Sequence, residues 1–502
     1  MYSSHIFMLP FKFEIEGKLK EFQDELKESG WKHSIDGIEE NEKIYYYDYV
    51  SDIIHGTQNE SEKQPLYYYE YPLKSNEKYS FYVSEKLYDL DLTQVSLRIF
   101  ALGVGVLSFH IKNDKFESID DINKINDYGK RIYPQFLPLL AAKDTFLASS
   151  FEVLEEQEDF ETFKSDDRMP SFIKKLLPKD KMFKIVPVVD DRMFVMSWHQ
   201  NEKMDELKKY NEEKELYAYE TSGEWYKYLF CDGQYLTCQS KKLLKELIAK
   251  HSYDRWIDYG TLYGISRYSF MLLTTKNPPF YLREHIESIY FQMMIILFMN
   301  KALILKFSKE IADISNEISN IETDENNEEI VSRISRLYQR YIEFVNRYYF
   351  RDITAQKQGI ELYYQAKEIM DIDVSVKNLG SEINELYQFA ALVKEKESSH
   401  EMGKLTQVAT YFLPATLVVG IFGMNTFPKE SIESIPWLIF SLILVFLPIF
   451  FFQRYTIEFS KFLDKWNIFN FFRKKDKEET RFSALSRRFM QRKRLVKKGK
   501  NE

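Results

Sequence analysis

Only two cysteines occur in 502 residues, Cys231 and Cys238. Two thiols give no disulfide framework, and no four-ligand zinc spacing is present, so the bulk of the chain is expected in a reducing cytosol. Catalytic signatures are missing too. There is no nucleophile elbow, no HExxH pair, no Walker loop and no Cys–His spacing, which leaves a hydrolase without its machinery. Gly103-Val104-Gly105 lacks a third glycine and a following helix pattern, so a bulge or a close backbone approach inside a sheet is expected there instead of a dinucleotide site. The opening segment, MYSSHIFMLPFKFEIEG, has no basic stretch followed by an apolar one, and no signal peptide is expected in it. Proline is absent between Pro279 and Pro414, which leaves that stretch free for long helices.

What is present divides the chain. Residues 1–120 alternate with period two and are rich in Tyr and Phe, as in YYYDYV (Tyr45–Val50), YYYEY (Tyr67–Tyr71) and SFYV (Ser80–Val83). VSLRIFALGVGVLSFHI, Val95–Ile111, reads as a hairpin or adjoining strands interrupted by the two glycines. KIVPVVDDRMFVMSW, Lys184–Trp198, reads as a strand pair around an acidic turn, and Ile119–Ile132 as a helix. An α+β domain over 1–275 is therefore expected, then a helical stalk or bundle over 276–404. Ser288–Asn300 holds 13 uncharged residues, too few to cross a membrane, and reads as a buried core helix. A polar turn at Asn320–Ile330 precedes a helix over Ile330–Phe350. From about Ala355 a helix is expected to run to the end of the stalk and beyond, about 105 Å for some 70 residues. Ile372, Val376, Leu379, Ile383, Leu386, Ala390 and Val393 step along it in heptads. That seam suits parallel copies of the chain around an axis, or equally packing against the chain's own helices.

Two uncharged runs follow, Leu405–Phe427 and Ile435–Gln453. The first has 23 residues, enough to span a hydrocarbon core of about 30 Å. Joined by a loop over Thr426–Ser434, they read as a two-helix transmembrane domain over 405–453. The basic tail, 454–502, carries 16 Lys/Arg against 6 Asp/Glu, net +10, whereas the rest carries 53 against 71, net −18. Positive charge directly after the last span places the tail in the cytoplasm, and with two spans the N-terminal part too. The tail suits anionic headgroups, and no direct nucleic-acid partner is expected.

The first run ends in Gly423-Met424-Asn425, preceded by Phe422. Two C-terminal spans with Gly-Met-Asn closing the first resemble the CorA family of divalent-cation channels. The resemblance implies a channel, not an enzyme, in the inner membrane, multi-pass, with both termini cytoplasmic and subunits gathered as homopentamers in the lipid bilayer. The fold implied is an α+β cytosolic domain, a long α-helical stalk and two C-terminal transmembrane helices. A ring of Asn425 amides would hold a hydrated cation through its water shell, which suits Mg²⁺ as cargo. Gly423 and Met424 would stand at the mouth, with Thr416 as a polar pore contact and Leu413 as an apolar constriction. The alternative for Thr406, Gln407, Thr410 and Thr416 is to bond back to their own helix's carbonyls.

Further stretches resemble the CorA-like effectors of type III CRISPR systems: HIFMLPFKFE, LGVGVLSFHIKN, INDYGKRIYP, VVDDRMFV, RWIDYGTLYGISRYSF and YYFRDITAQKQGIELY. This resemblance implies an antiviral effector that binds a nucleotide messenger, S-adenosylmethionine joined to AMP, and controls membrane permeability. Lys130 and Arg131 would grip the phosphate. Asp190 and Asp191 would take amino groups or the sulfonium, with Arg192 adjacent, and Tyr128 and Tyr133 would offer stacking faces. The other reading is a CorA-type Mg²⁺ transporter gated by intracellular Mg²⁺.

Overall fold

Period-two alternation makes the N-terminal segment a strand, Ser3–Lys12, and this strand becomes the middle of a thirteen-stranded sheet. The computed structural model describes residues 1–14, 19–34, 40–55, 64–133, 147–159, 169–178, 183–188, 191–233, 235–319 and 327–423, with Ile439 and Ile443. The described chain forms two compact units, Met1–Lys309 with Arg340–Gly380, and Glu310–Gln339 with Ser381–Glu502.

In the first unit the strands lie in the order Ser252–Tyr253, Thr261–Ile265, Ser269–Thr274, Phe194–Gln200, Ser3–Lys12, Val104–Asn113, Lys86–Phe100, Lys78–Val83, Ser150–Val153 and Glu156–Asp159. Neighbours run antiparallel except Phe194–Gln200 beside Ser269–Thr274, which is parallel. The last strand ends at Thr274, while the compact unit that holds the sheet runs on to Lys309 and takes in Arg340–Gly380, past the expected boundary at 275. The glycines act as expected in kind. Gly103, at φ +82°, turns the chain between Phe100 and Val104. At Gly105 a Cβ would meet the Phe11 ring at 2.4 Å, so the close approach needs a glycine. The pair around the acidic turn differs from expectation. Val186–Pro187 and Phe194–Gln200 pair with Ser3–Lys12 and not with each other.

Alternation gives the sheet two buried faces. One carries Phe7, Leu9, Phe11, Leu97, Ile99 and Phe109 in an aromatic-rich core with Ile122, Ile125 and Tyr128 of helix Ile119–Gly129. The other is covered by helix Ile289–Ser319. There Phe298 packs on Phe194 at 4.6 Å and Phe291 on His110 at 4.8 Å. Lys306 Nζ donates to the carbonyls of Phe13 (3.0 Å), Leu102 (2.8 Å) and Gly103 (3.3 Å). Among the described residues, Tyr281–Ser319 alone is long and apolar enough to cross a membrane, yet 83% of its apolar window is buried. It is the core helix expected at Ser288–Asn300.

Helix Asn327–Arg347 follows residues 320–326, which lie outside the described part, as does most of the expected polar turn. The continuous helix from Ala355 is corrected to two. Lys357–Ile369 stops at Met370, Asp371 takes φ +55°, and Ile372–Gly423 runs for 52 residues through Pro414. Aspartate tolerates that left-handed conformation better than most residues, and its carboxylate pairs with Arg267. The heptad residues Ile372, Val376, Leu379, Ile383, Leu386, Ala390 and Val393 are all buried within this one chain. In the second unit Tyr338 stacks on Tyr387 at 4.3 Å, and Arg333 pairs with Glu317. The seam is therefore filled by the chain's own packing and does not by itself call for further copies.

Candidate functional site

Helix Ile119–Gly129 is short and sharply bounded. Ser118 caps it by accepting from Asp120 N at 3.3 Å, and Asp120 and Asp121 sit in its first turn, where the macrodipole favours acids. Lys130 caps the other end and Arg131 follows it. Both cations were expected to face a ligand, but both turn inward. Lys130 is 2% exposed and Arg131 5%.

Each finds a carboxylate. Lys130 Nζ lies 3.0 Å from Asp127 Oδ1 and donates to the Cys231 carbonyl at 3.1 Å. Cys231 ends helix Gly223–Phe230 in the left-handed region, so the ammonium also meets the negative end of that helix. Arg131 Nη1 donates to Asp191 Oδ2 at 2.8 Å, and its Nη2 lies 3.6 Å from Asp127 Oδ1. Arg192 Nε donates to Asp191 Oδ1 at 2.8 Å, and its guanidinium lies 4.9 Å from the centre of the Tyr268 ring. Burial opposes the charge on Asp127, yet Lys130 and Arg131 outweigh it and hold the carboxyl below its ordinary pKa. The backbone locks the pair of segments together, with Ile132 N donating to Asp191 O and Met193 N to Lys130 O.

The network ties Lys130, Arg131 and Arg192 to Asp127 and Asp191, with Asp232 near enough to act on Lys130, and Arg131 Nε has no partner among the described residues. Lys130, Arg131, Asp191 and Arg192 are brought together as expected, while Asp190 lies outside the described residues. Tyr128 is corrected, because it is fully buried in the core, where its ring packs instead of offering an open face. Tyr133 is partly buried against that core. Asp127 was missed, although its place three and four residues before the two cations on a predicted helix was a usable signal. Cys231 and Tyr268 carried none, since they lie 101 residues beyond Lys130 and 76 beyond Arg192.

At the far end of Ile372–Gly423 the side chains from Lys394 to Ala409 are all exposed. Met402, Leu405, Val408, Phe412 and Leu413 are exposed by 67, 71, 52, 67 and 68%, an apolar surface left uncovered among the described residues. Thr406, Thr410 and Thr416 donate to the carbonyls four residues back, at 2.7 to 2.8 Å. That favours the back-bonding alternative over a hydroxyl donated into a pore. Gly423 closes the helix, and Met424, Asn425 and most of the second uncharged run lie outside the described residues. Among the described residues no group of three His, Cys, Asp or Glu side chains is placed to hold a metal.

No curated protein matches this chain. Residues 283–454 match the family model described as CorA-like Mg²⁺ transporter protein, so the sheet, which ends at Thr274, lies outside the match. Over those residues the chain is CorA-like, a likeness to membrane channels and transporters and not to enzymes.

Proposed function

We propose that the protein is a ligand-gated CorA-like channel, its sheet-bearing unit binding a nucleotide messenger that controls passage through a pore built from the ends of the long helices. The observation that carries this reading is the helix Ile372–Gly423, buried at its start and apolar but exposed at its end. Such a surface is stable only against lipid or further copies of itself. In a homopentamer spanning the inner membrane, with both termini cytoplasmic, Leu413 would constrict the path and Asn425 would hold hydrated Mg²⁺ as cargo. Lys130, Arg131, Asp191 and Arg192 would form the messenger site, S-adenosylmethionine-AMP being the ligand that the resemblance to CRISPR effectors implies. Their clustered ammonium and guanidinium groups support an anionic ligand, which would have to displace a carboxylate partner. Messenger opens the gate only by binding the open form more tightly.

The second reading is Mg²⁺ transport gated by intracellular Mg²⁺, favoured by the description of the matched family. One experiment separates them. Chain reconstituted in liposomes is assayed for Mg²⁺ flux with and without messenger. Messenger-dependent flux that Asn425→Ala alters, and that Arg192→Ala weakens together with binding of labelled messenger, is expected. Flux that ignores the messenger, in a chain that rescues a magnesium-auxotrophic host, favours the second reading.

A further inference from the structure

A buried guanidinium with no carboxylate at ion-pair distance among the described residues stands on the sheet face beneath helix Ile289–Ser319, where Glu42 and Glu70 favour its charge from further off. Arg98 is 3% exposed. Its Nη2 donates to Gln292 Oε1 at 3.3 Å, and its Nε and Nη1 have no partner. The guanidinium lies 4.1 Å from the Tyr68 ring centre and 5.3 Å from that of Phe291, and among the described residues no carboxylate pairs with it. Aromatic faces compensate a buried cation in part, and a hydrogen-bonded anion does so far better.

A cavity of about 460 Å³, the size of a small-molecule site, lies beside this cluster. His110 lines it with an unpartnered Nε2, and its ring packs edge-on against the same Phe291 that carries Arg98. Burial and the nearby Arg98 hold His110 neutral, with a pKa of about 3. Gln94, also in the lining, donates to Tyr68 Oη at 3.1 Å and to Glu70 Oε1 at 2.5 Å. Exposed Lys112 completes the basic side. Two acids share the cavity: Glu70 is occupied by Gln94 and Tyr68, and burial raises the pKa of Glu287.

We propose that this cavity binds a small molecule bearing an oxyanion, a phosphate or a carboxylate, which Lys112 and His110 hold while Arg98 supplies the positive field behind them. The site is separate from the Lys130–Asp191 network. His110 of its lining packs on Phe291 of helix Ile289–Ser319, which is inside the CorA-like match, so occupancy reaches that helix through this ring contact.

The test uses the full chain purified in detergent, titrated calorimetrically and by thermal unfolding with inorganic phosphate and with citrate, glycerol serving as the uncharged control. Saturable binding of at least one anion, with no response to glycerol, is expected. Arg98→Met should weaken it about tenfold or more, and Lys112→Ala, an exposed change that leaves folding intact, by about three- to tenfold. Lys241→Gln, an exposed change outside the cavity lining, should leave it unchanged. Binding of neither anion overturns the proposal, as does anion binding that survives both Arg98→Met and Lys112→Ala. If Arg98→Met does not fold, Lys112→Ala decides alone.

Discussion

The two faces of the sheet handle buried charge in opposite ways. Under helix Ile119–Gly129, Arg131 meets Asp191 and Asp127, and His5 is bonded to Asn126, Ser3 and Ser197. Under helix Ile289–Ser319, Arg98 keeps one amide partner and two ring faces, and His110 has a bare Nε2. A buried pair that is fully bonded behaves as structure, whereas a buried charge left unpaired is a cost that something outside the chain can relieve. The difference separates two kinds of site: on one face a ligand must displace a carboxylate already in place, and on the other the buried cation has none at ion-pair distance among the described residues to give up.

The largest expected effect breaks the paired face. Lys130→Ala with Arg131→Ala leaves Asp127 buried without a cation and Asp191 with Arg192 alone, and should lower unfolding stability by about 3–5 kcal/mol. Denaturant unfolding of the purified double variant checks this, and a loss below about 1 kcal/mol would mean that water reaches these carboxylates. The same measurement on Arg98→Met sharpens the contrast. Removing an unpaired charge in favour of an apolar side chain of similar length should cost less than about 1 kcal/mol or stabilise the protein.

Acid is the next probe. Burial lowers the pKa of His5, His55 and His110 to about 3 and of His199 to about 4. All four are neutral when folded, but in the unfolded chain they bind protons near the ordinary value of about 6.5. The unfolded state therefore holds more protons between roughly pH 6.5 and 4, and stability rises with pH across that window. Stability should be fully present above about pH 6.5 and fall on acidification, by about 1.4 kcal/mol per pH unit for each histidine involved. Substituting His110 with Phe should flatten the slope by one proton. An unchanged slope would mean that His110 titrates while folded.

Much of this was legible in the sequence, and the exceptions share a cause. The end of the sheet, the buried helix at Ser288–Asn300 and the roles of Gly103 and Gly105 follow from local pattern, because alternation, run length and φ requirements are local. The direction in which Lys130 and Arg131 point is set by Asp191, 60 residues from Arg131, and by the Cys231 carbonyl. Arg98 misleads for the same reason. In VSLRIF, Ser96 and Arg98 occupy the polar positions of a half-buried strand, yet a helix nearly two hundred residues later covers that face. The heptad seam was correctly seen as apolar, but periodicity cannot say whether the partner is another copy or the same chain.

The smallest effect is the most discriminating. Gln292→Leu removes the hydrogen bond that Arg98 Nη2 donates, a contact of 3.3 Å, and should destabilise the parent by about 1 kcal/mol. In an Arg98→Met background the amide has no cation to serve, and the same change should cost nothing or help, since Gln292 is buried and leucine needs no hydrogen-bond partner there. A double-mutant cycle isolates that difference, and a coupling of about 0.5–1.5 kcal/mol is expected. Repeating the cycle in saturating phosphate is the stricter form. An oxyanion near Arg98 shares the charge that Gln292 otherwise serves alone, so the coupling should shrink. A coupling that is the same with and without phosphate would make the two faces of the sheet alike, each closed on its own residues.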